Sequence, residues 1–230
     1  MGKTVKNLMI FLLTANAFNT SYLQAMLSLS SSSRAFSEQK YFFQKKLDQI
    51  NLNNTCGFTP LHQAAKEHDL NRLYKLLDEE DSINATNIFG ETALHVAARN
   101  NFYEGVLVLL REGAKINVQD YFGNTALHEA VAYNHYAIVM LLIIGEANVN
   151  IQNKLGETAL HLAAFHGCID CVQMLIEKNT NLFLLDKLGA CALNYANDNN
   201  HQECAVILRQ AINNKNNIHS PLKFSTCLVS

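Results

Sequence analysis

The sequence has little net charge, no disulfide-framework cysteine spacing and no long apolar run, and each shortage removes a class of function. A formal net charge of −2 over 230 residues leaves no basic surplus to neutralise phosphates, so a nucleic-acid partner is disfavoured. Cysteines stand at 56, 168, 171, 191, 204 and 227, without the spacing that staples a small secreted domain. No stretch is apolar for long enough to cross a bilayer as a helix. No phosphate-cradling glycine loop is present, and the pattern assembles no nucleophile, acid and base. An enzyme is therefore not expected, and no cofactor or metal is called for.

What is present is a phrase that recurs. Gly-x-Thr-Ala-Leu-His runs from Gly90 to His95, from Gly123 to His128 and from Gly156 to His161, each 33 residues after the last. One period earlier stands Gly57-Phe58-Thr59-Pro60-Leu61-His62; one period later stands Gly189-Ala190-Cys191-Ala192-Leu193-Asn194, with Thr and His replaced. A fixed period of this length marks a solenoid whose units stack on a shared core. The phrase resembles that of the ankyrin-repeat family, with Thr-Pro-Leu-His in the first copy and Thr-Ala-Leu-His in the next three. The resemblance implies an all-α solenoid of helix-turn-helix units joined by β-turn fingers, over residues 51–212, with repeats at 54–86, 87–119, 120–152, 153–185 and 186–212.

Each residue of the phrase has a structural task. The glycine follows the turn between units, where positive φ or close backbone approach penalises a Cβ. Thr59, Thr92, Thr125 and Thr158 are placed to cap a helix, and Pro60 suits a first helical position. Leu61, Leu94, Leu127, Leu160 and Leu193, with Ala64, Ala97, Ala130, Ala163 and Ala196, keep an inner helix apolar and thin. A second helix carries larger side chains at three-and-four spacing, among them Leu73, Val106, Leu109, Val139, Leu142, Val172, Leu175 and Leu208, which makes one buried stripe. The evenly spaced His62, His95, His128 and His161 invite a metal reading. Equivalent positions in stacked units lie about 8–10 Å apart, too far for one ion with bonds of about 2 Å, so these imidazoles are expected to bond loop backbone between units. Cys171 and Cys204 share the slot of Ile138 and read as small buried hydrophobes.

The same frame places a binding face. In proteins of this type partners lie across the turn tips and the exposed end of the inner helix. That face offers Ile88, Phe89 and Arg99, then Tyr121, Phe122 and Tyr133, then Lys154, Leu155, Phe165 and His166. Tips are expected to be polar on solvation grounds, so their aromatic residues point either to a client protein or to rings folded over the neighbouring turn. The fifth unit, with Asn194, Asn197, Asn199 and Asn200, reads as a C-terminal cap with a wettable face.

Residues 1–50 and 213–230 flank the solenoid. Leu8 to Leu13 follows Lys3 and Lys6 and precedes Ala15-Asn16-Ala17, the outline of a short secretory signal. The other reading is a small helical N-terminal module, and Ile10, Phe11, Leu12 and Leu13 with Tyr22-Leu23 and Arg34-Ala35-Phe36 resemble a degenerate F-box. That resemblance implies docking to a Skp1-type ubiquitin-ligase subunit, although the Leu-Pro that opens the family's motif is absent; a plain cap on the solenoid is the alternative. Asn213 to Asn217 and Ser220-Pro221 read as a flexible tail, ending in Cys227-Leu228-Val229-Ser230, the form of a prenylation box. The box implies a lipid on Cys227 and a membrane surface as partner; an unmodified thiol is the alternative. Prenylation is cytosolic, so the box and a cleaved signal exclude one another, and the expected location is the cytoplasm, at the cytoplasmic face of a membrane if lipidated. The combination of F-box-like start, ankyrin units and prenylation box resembles translocated effectors of intracellular bacteria, which implies the host cytosol; a soluble ankyrin scaffold or inhibitor without lipid or ligase is the other reading.

Overall fold

The computed structural model describes residues 57–78, 82–178 and 180–218, with side chains to 215. The expected N-terminal module with Ile10 to Leu13, and the segment carrying Cys227, lie outside the described residues. Among the described residues ten helices follow in pairs: α1 (Pro60–Glu67) and α2 (Leu70–Asp78), α3 (Ala93–Arg99) and α4 (Tyr103–Arg111), α5 (Ala126–Ala132) and α6 (Tyr136–Ile144), α7 (Ala159–His166) and α8 (Ile169–Glu177), α9 (Ala192–Asp198) and α10 (Gln202–Ile218). Inner helices α1, α3, α5, α7 and α9 pack each on the next, outer helices do likewise, and each pair packs together.

Sequence chemistry explains why the pairs form. The inner helices start at a capping box in which His replaces the usual Glu or Gln. The backbone N–H of Thr59, Thr92, Thr125 and Thr158 donates to Nδ1 of the histidine three residues on at 3.1–3.2 Å. In the fifth pair Cys191 and Asn194 perform the same task, the Cys191 N–H donating to Asn194 Oδ1 at 2.9 Å. Loss of the Thr and His letters therefore leaves the cap intact. Ala64, Ala97, Ala130, Ala163 and Ala196 are fully buried, and their small volume lets adjacent inner helices approach. Leu73, Leu109, Leu142, Leu175 and Leu208 fill the space between inner and outer layers, each contributing about 1.5–3 kcal/mol of burial.

Backbone ties between units repeat as strictly as the core. Asn84, Asn117 and Asn150 each accept, through Oδ1, the backbone N–H 31 residues later, at 2.7, 2.9 and 2.8 Å. Each stands one repeat after the last and follows a β-branched residue, in Ile83-Asn84, Ile116-Asn117 and Val149-Asn150. Gly123 shows why its position excludes a side chain: φ is +80°, and a Cβ there would stand 2.7 Å from the backbone nitrogen of Lys154.

Two expectations are corrected. The β-turn fingers do not form as β elements: among the described residues no strand occurs. The reason is that each tip meets its neighbour through a single backbone bond, such as Tyr121 N–H to Phe89 O at 2.8 Å, and one bond does not make a ladder. Second, α10 continues through Asn213 to Ile218, where the sequence reads as tail. Lys215 Nζ donates to the Thr180 carbonyl at 2.8 Å, a tertiary tie that the run of asparagines does not announce.

Candidate functional site

The tips are built by a side chain that precedes each of them. Asn87 Oδ1 accepts from the N–H groups of Phe89 and Glu91 at 2.9 and 3.0 Å. Asp120 does the same for Phe122 and Asn124 at 2.8 and 2.7 Å, Asn153 for Leu155 and Glu157 at 2.9 and 3.0 Å, and Asp186 for Leu188 and Ala190 at 2.9 and 2.7 Å. Such Asx bonding folds a four-residue turn without help from a sheet. The tips are then clipped to one another: Lys154 N–H donates to Phe122 O at 2.8 Å and Lys187 N–H to Leu155 O at 2.9 Å. The result is a row of turns held in fixed relation along the stack.

Burial divides the expected face residues. Tyr121 is 51% exposed and Lys154 is exposed, while Ile88, Phe122, Tyr133, Leu155, Phe165 and His166 are half-buried. Phe89 and Arg99 are interior, at 6% and 5% exposure. Phe89 lies under the next unit, whose Tyr121 ring crowds Gly90 so closely that a Cβ there would meet Cδ1 at 2.7 Å. Arg99, at the end of α3, turns inward to pair with Glu91 and reaches Glu129 of the next inner helix at 3.7 Å. These two residues shape the face from behind. Leu188, 52% exposed, and Leu185 belong to the same row of tips. The repeat frame contains the signal for Leu188, which occupies the slot of Phe89, Phe122 and Leu155 in the final unit. Away from the tips, the uncharged α6 exposes Tyr136, Met140 and Ile144, four residues apart on one side of the helix.

Beneath the tips runs a buried polar layer. Asn124 Nδ2 donates to Glu129 Oε1 at 2.9 Å, Asn153 Nδ2 to Glu157 Oε2 at 2.8 Å, and Tyr195 OH lies 2.7 Å from Asp186 Oδ2 and 3.0 Å from Glu157 Oε1. Burial alone would raise Glu91; the Arg99 guanidinium outweighs it and holds the carboxyl at about 2. Burial and the adjacent Glu157 and Asp186 push the Tyr195 phenol upward, so it stays a neutral donor.

The four histidines are part of this scaffold. Because Nδ1 accepts a backbone N–H, the proton sits on Nε2. It is donated to the carbonyl of Glu91, Asn124, Glu157 and Ala190 in the following unit at 2.8, 3.1, 3.3 and 3.2 Å respectively. One imidazole thus caps its own helix and fastens the next unit. Burial pushes His62, His95 and His161 below the ordinary histidine value. Among the described residues no group of three or more His, Cys, Asp or Glu could hold a metal ion, and no helix is long and apolar enough to cross a membrane.

Comparison with known proteins agrees with this architecture. The family description "Ankyrin repeats (3 copies)" matches residues 27–120, 61–153 and 127–219. No curated protein matches the chain. Ankyrin units are non-catalytic scaffolds that generally mediate protein–protein interaction. With units of 33 residues, His-closed capping boxes, stacked helix pairs and family matches that together reach from residue 27 to 219, the chain belongs to the ankyrin-repeat family.

Proposed function

We propose that the chain is an adaptor that holds a client protein across the row of tips and the exposed end of the inner helices. Tyr121, Lys154 and Leu188 supply the accessible surface, and Ile88, Phe122, Tyr133, Leu155, Phe165 and His166 its half-buried floor. One observation carries this reading: Tyr121 stands half-exposed on a tip fixed by backbone bonds on both sides, through Tyr121 N–H to Phe89 O and Phe122 O to Lys154 N–H. An exposed aromatic ring on a tip whose backbone is already fixed is suited to anchor an interface, because the backbone's ordering cost has been met in the fold. The test is unbiased capture from a cell extract with the full chain, compared with Tyr121→Ala and Tyr133→Ala, each first shown to melt as the parent does. A client that binds the parent and both variants alike overturns the assignment.

Two attachments to this reading come from sequence alone. Ile10, Phe11, Leu12 and Leu13 would dock a Skp1-type subunit and so link the client to a ubiquitin ligase; retention of that subunit by a Leu12→Ala variant as well as by the parent would sink it. Where Ser230 is the carboxyl terminus of the cellular protein, Cys227 would carry a prenyl group. A single chain binds membranes only marginally, so the lipid would act together with the client or a second signal. Intact mass after expression in a eukaryotic cell, parent against Cys227→Ser, decides it. Both attachments together are the arrangement by which a translocated bacterial effector would work in host cytosol; with neither, the chain is a soluble scaffold.

A further inference from the structure

Cys168 and Cys171 are joined as a disulfide, their Cα atoms 5.3 Å apart. Cys171 is a small core residue, as the sequence reads it and like Cys204, free and buried in the equivalent slot, but it is also bonded to Cys168. Cys168 is the N-cap of α8, and its Sγ accepts the Cys171 backbone N–H at 3.3 Å. A sulfur placed there faces the amides of the first turn. Both residues are buried, Cys168 at 6% exposure and Cys171 at 0%, so exchange begins at Cys168, the nearer to solvent, when the first turn of the helix opens. The position varies through the repeat, with Asp69 in the first unit and Phe102 in the second. His135 and His201 fill it in the third and fifth units and tie it to the preceding inner helix, Nε2 lying 3.0 Å from Arg99 O and from Phe165 O respectively. The fourth unit has a sulfur instead of that tie.

We propose that Cys168 and Cys171 form a reversible dithiol–disulfide couple that exchanges with small-molecule disulfides such as oxidised glutathione. The Cys168 thiolate attacks one sulfur of the small disulfide, whose S–S bond breaks and releases one thiolate, leaving a mixed disulfide on Cys168. The Cys171 thiolate then attacks Cys168 Sγ and displaces the second. The two protons given up by the protein thiols go to the two released thiolates; the protein loses two electrons and the small disulfide gains them. A reducing thiol pool runs the steps backwards.

The couple sits where a change of stiffness is felt by the client face. Phe165 and His166 end α7, Gly167 turns the chain at φ +68°, and the His201 ring lies so close that a Cβ on Gly167 would meet its Nδ1 at 2.5 Å. The disulfide fixes the first turn of α8 covalently; the dithiol leaves it to one Sγ cap. This coupling to Phe165 and His166 rests on the client face proposed above, whereas the exchange chemistry does not.

The experiment uses the full chain equilibrated in glutathione buffers of stepped ratio, quenched, alkylated and read by peptide mass. The expected result is loss of two hydrogens confined to the peptide holding both cysteines, reversed by reduction. In Cys171→Ala a glutathione adduct should accumulate on Cys168, while in Cys168→Ser none forms on Cys171. Serine is itself a good N-cap, so Cys168→Ser should melt within a few degrees of the parent. Thiols that stay unreacted in the native parent, or adducts forming equally on Cys171 in Cys168→Ser, overturn the couple. Hydrogen exchange of the amides from 165 to 171 should be slower in the disulfide form; equal exchange in both forms overturns the coupling and leaves the exchange result standing.

Discussion

Arg99 and Glu91, eight residues apart in sequence, meet as a buried ion pair with both side chains 4% exposed, and Glu129 of the next unit stands 3.7 Å from the same guanidinium. Two carboxylates from consecutive units thus share one cation. Replacing Arg99 by Met would strand both. The expected loss is about 3–5 kcal/mol, read from urea unfolding with the parent as reference. Because Glu91 lies at about 2 in the fold against 4.5 ordinarily, its contribution is present above pH 4.5 and is lost as pH falls towards 2. A parent whose stability is flat across that interval contradicts the pairing.

The capping histidines give a second, separate pH response. His62, His95 and His161 are held below the ordinary value of 6.5 by burial, so the unfolded chain binds protons more readily than the folded one. Stability should be full above pH 6.5 and decline as pH falls below it. His95→Asn, which imitates the Cys191–Asn194 cap, should cost about 1 kcal/mol at neutral pH through the lost bond to Asn124 O. It should also make the decline shallower. Thermal melts across the interval provide both readings, and an unchanged slope would mean that folding does not lower proton uptake by His95.

Phe89 and Tyr121 should behave as opposites although both are aromatic tip residues. Phe89→Ala removes a buried ring and should cost about 3–5 kcal/mol. Tyr121→Ala should alter stability by less than about 0.5 kcal/mol while weakening client capture. Chemical denaturation of the two variants side by side checks the contrast; equal destabilisation would place Tyr121 in the core.

Gly123 and Gly189 separate backbone strain from the clip between tips. Both have φ of +80°, but a Cβ on Gly189 meets nothing within 4 Å, whereas on Gly123 it meets the Lys154 backbone. Gly189→Ala should cost about 1–2 kcal/mol from conformation alone, and Gly123→Ala clearly more, with faster exchange of the Lys154 amide. Equal losses would mean that the clip adds nothing.

The repeat itself was legible in the letters. Period, helix pairs, small inner positions and the role of the histidines follow from local chemistry copied at a fixed interval, so any unit reads the same wherever it stands. Its failures are equally local: the bonding partners of the tips read as β because the sequence shows a turn but not how few bonds join it to the next, and the end of α10 read as tail because the Thr180 carbonyl that receives Lys215 is 35 residues away.

Exposure was decided by the stack. Phe89, Phe122, Leu155 and Leu188 occupy one slot of the repeat, yet they pass from 6% exposed through half-buried to 52%. A residue's letter sets what it contributes when covered, and the neighbouring unit sets whether it is covered. For the same reason Arg99 turned from a face residue into an interior cation once Glu91 and Glu129 converged on it. The sequence alone determined the units and their order; the packing of each unit on the next determined which side chains remained for a partner, because solvent access depends on what lies across the interface.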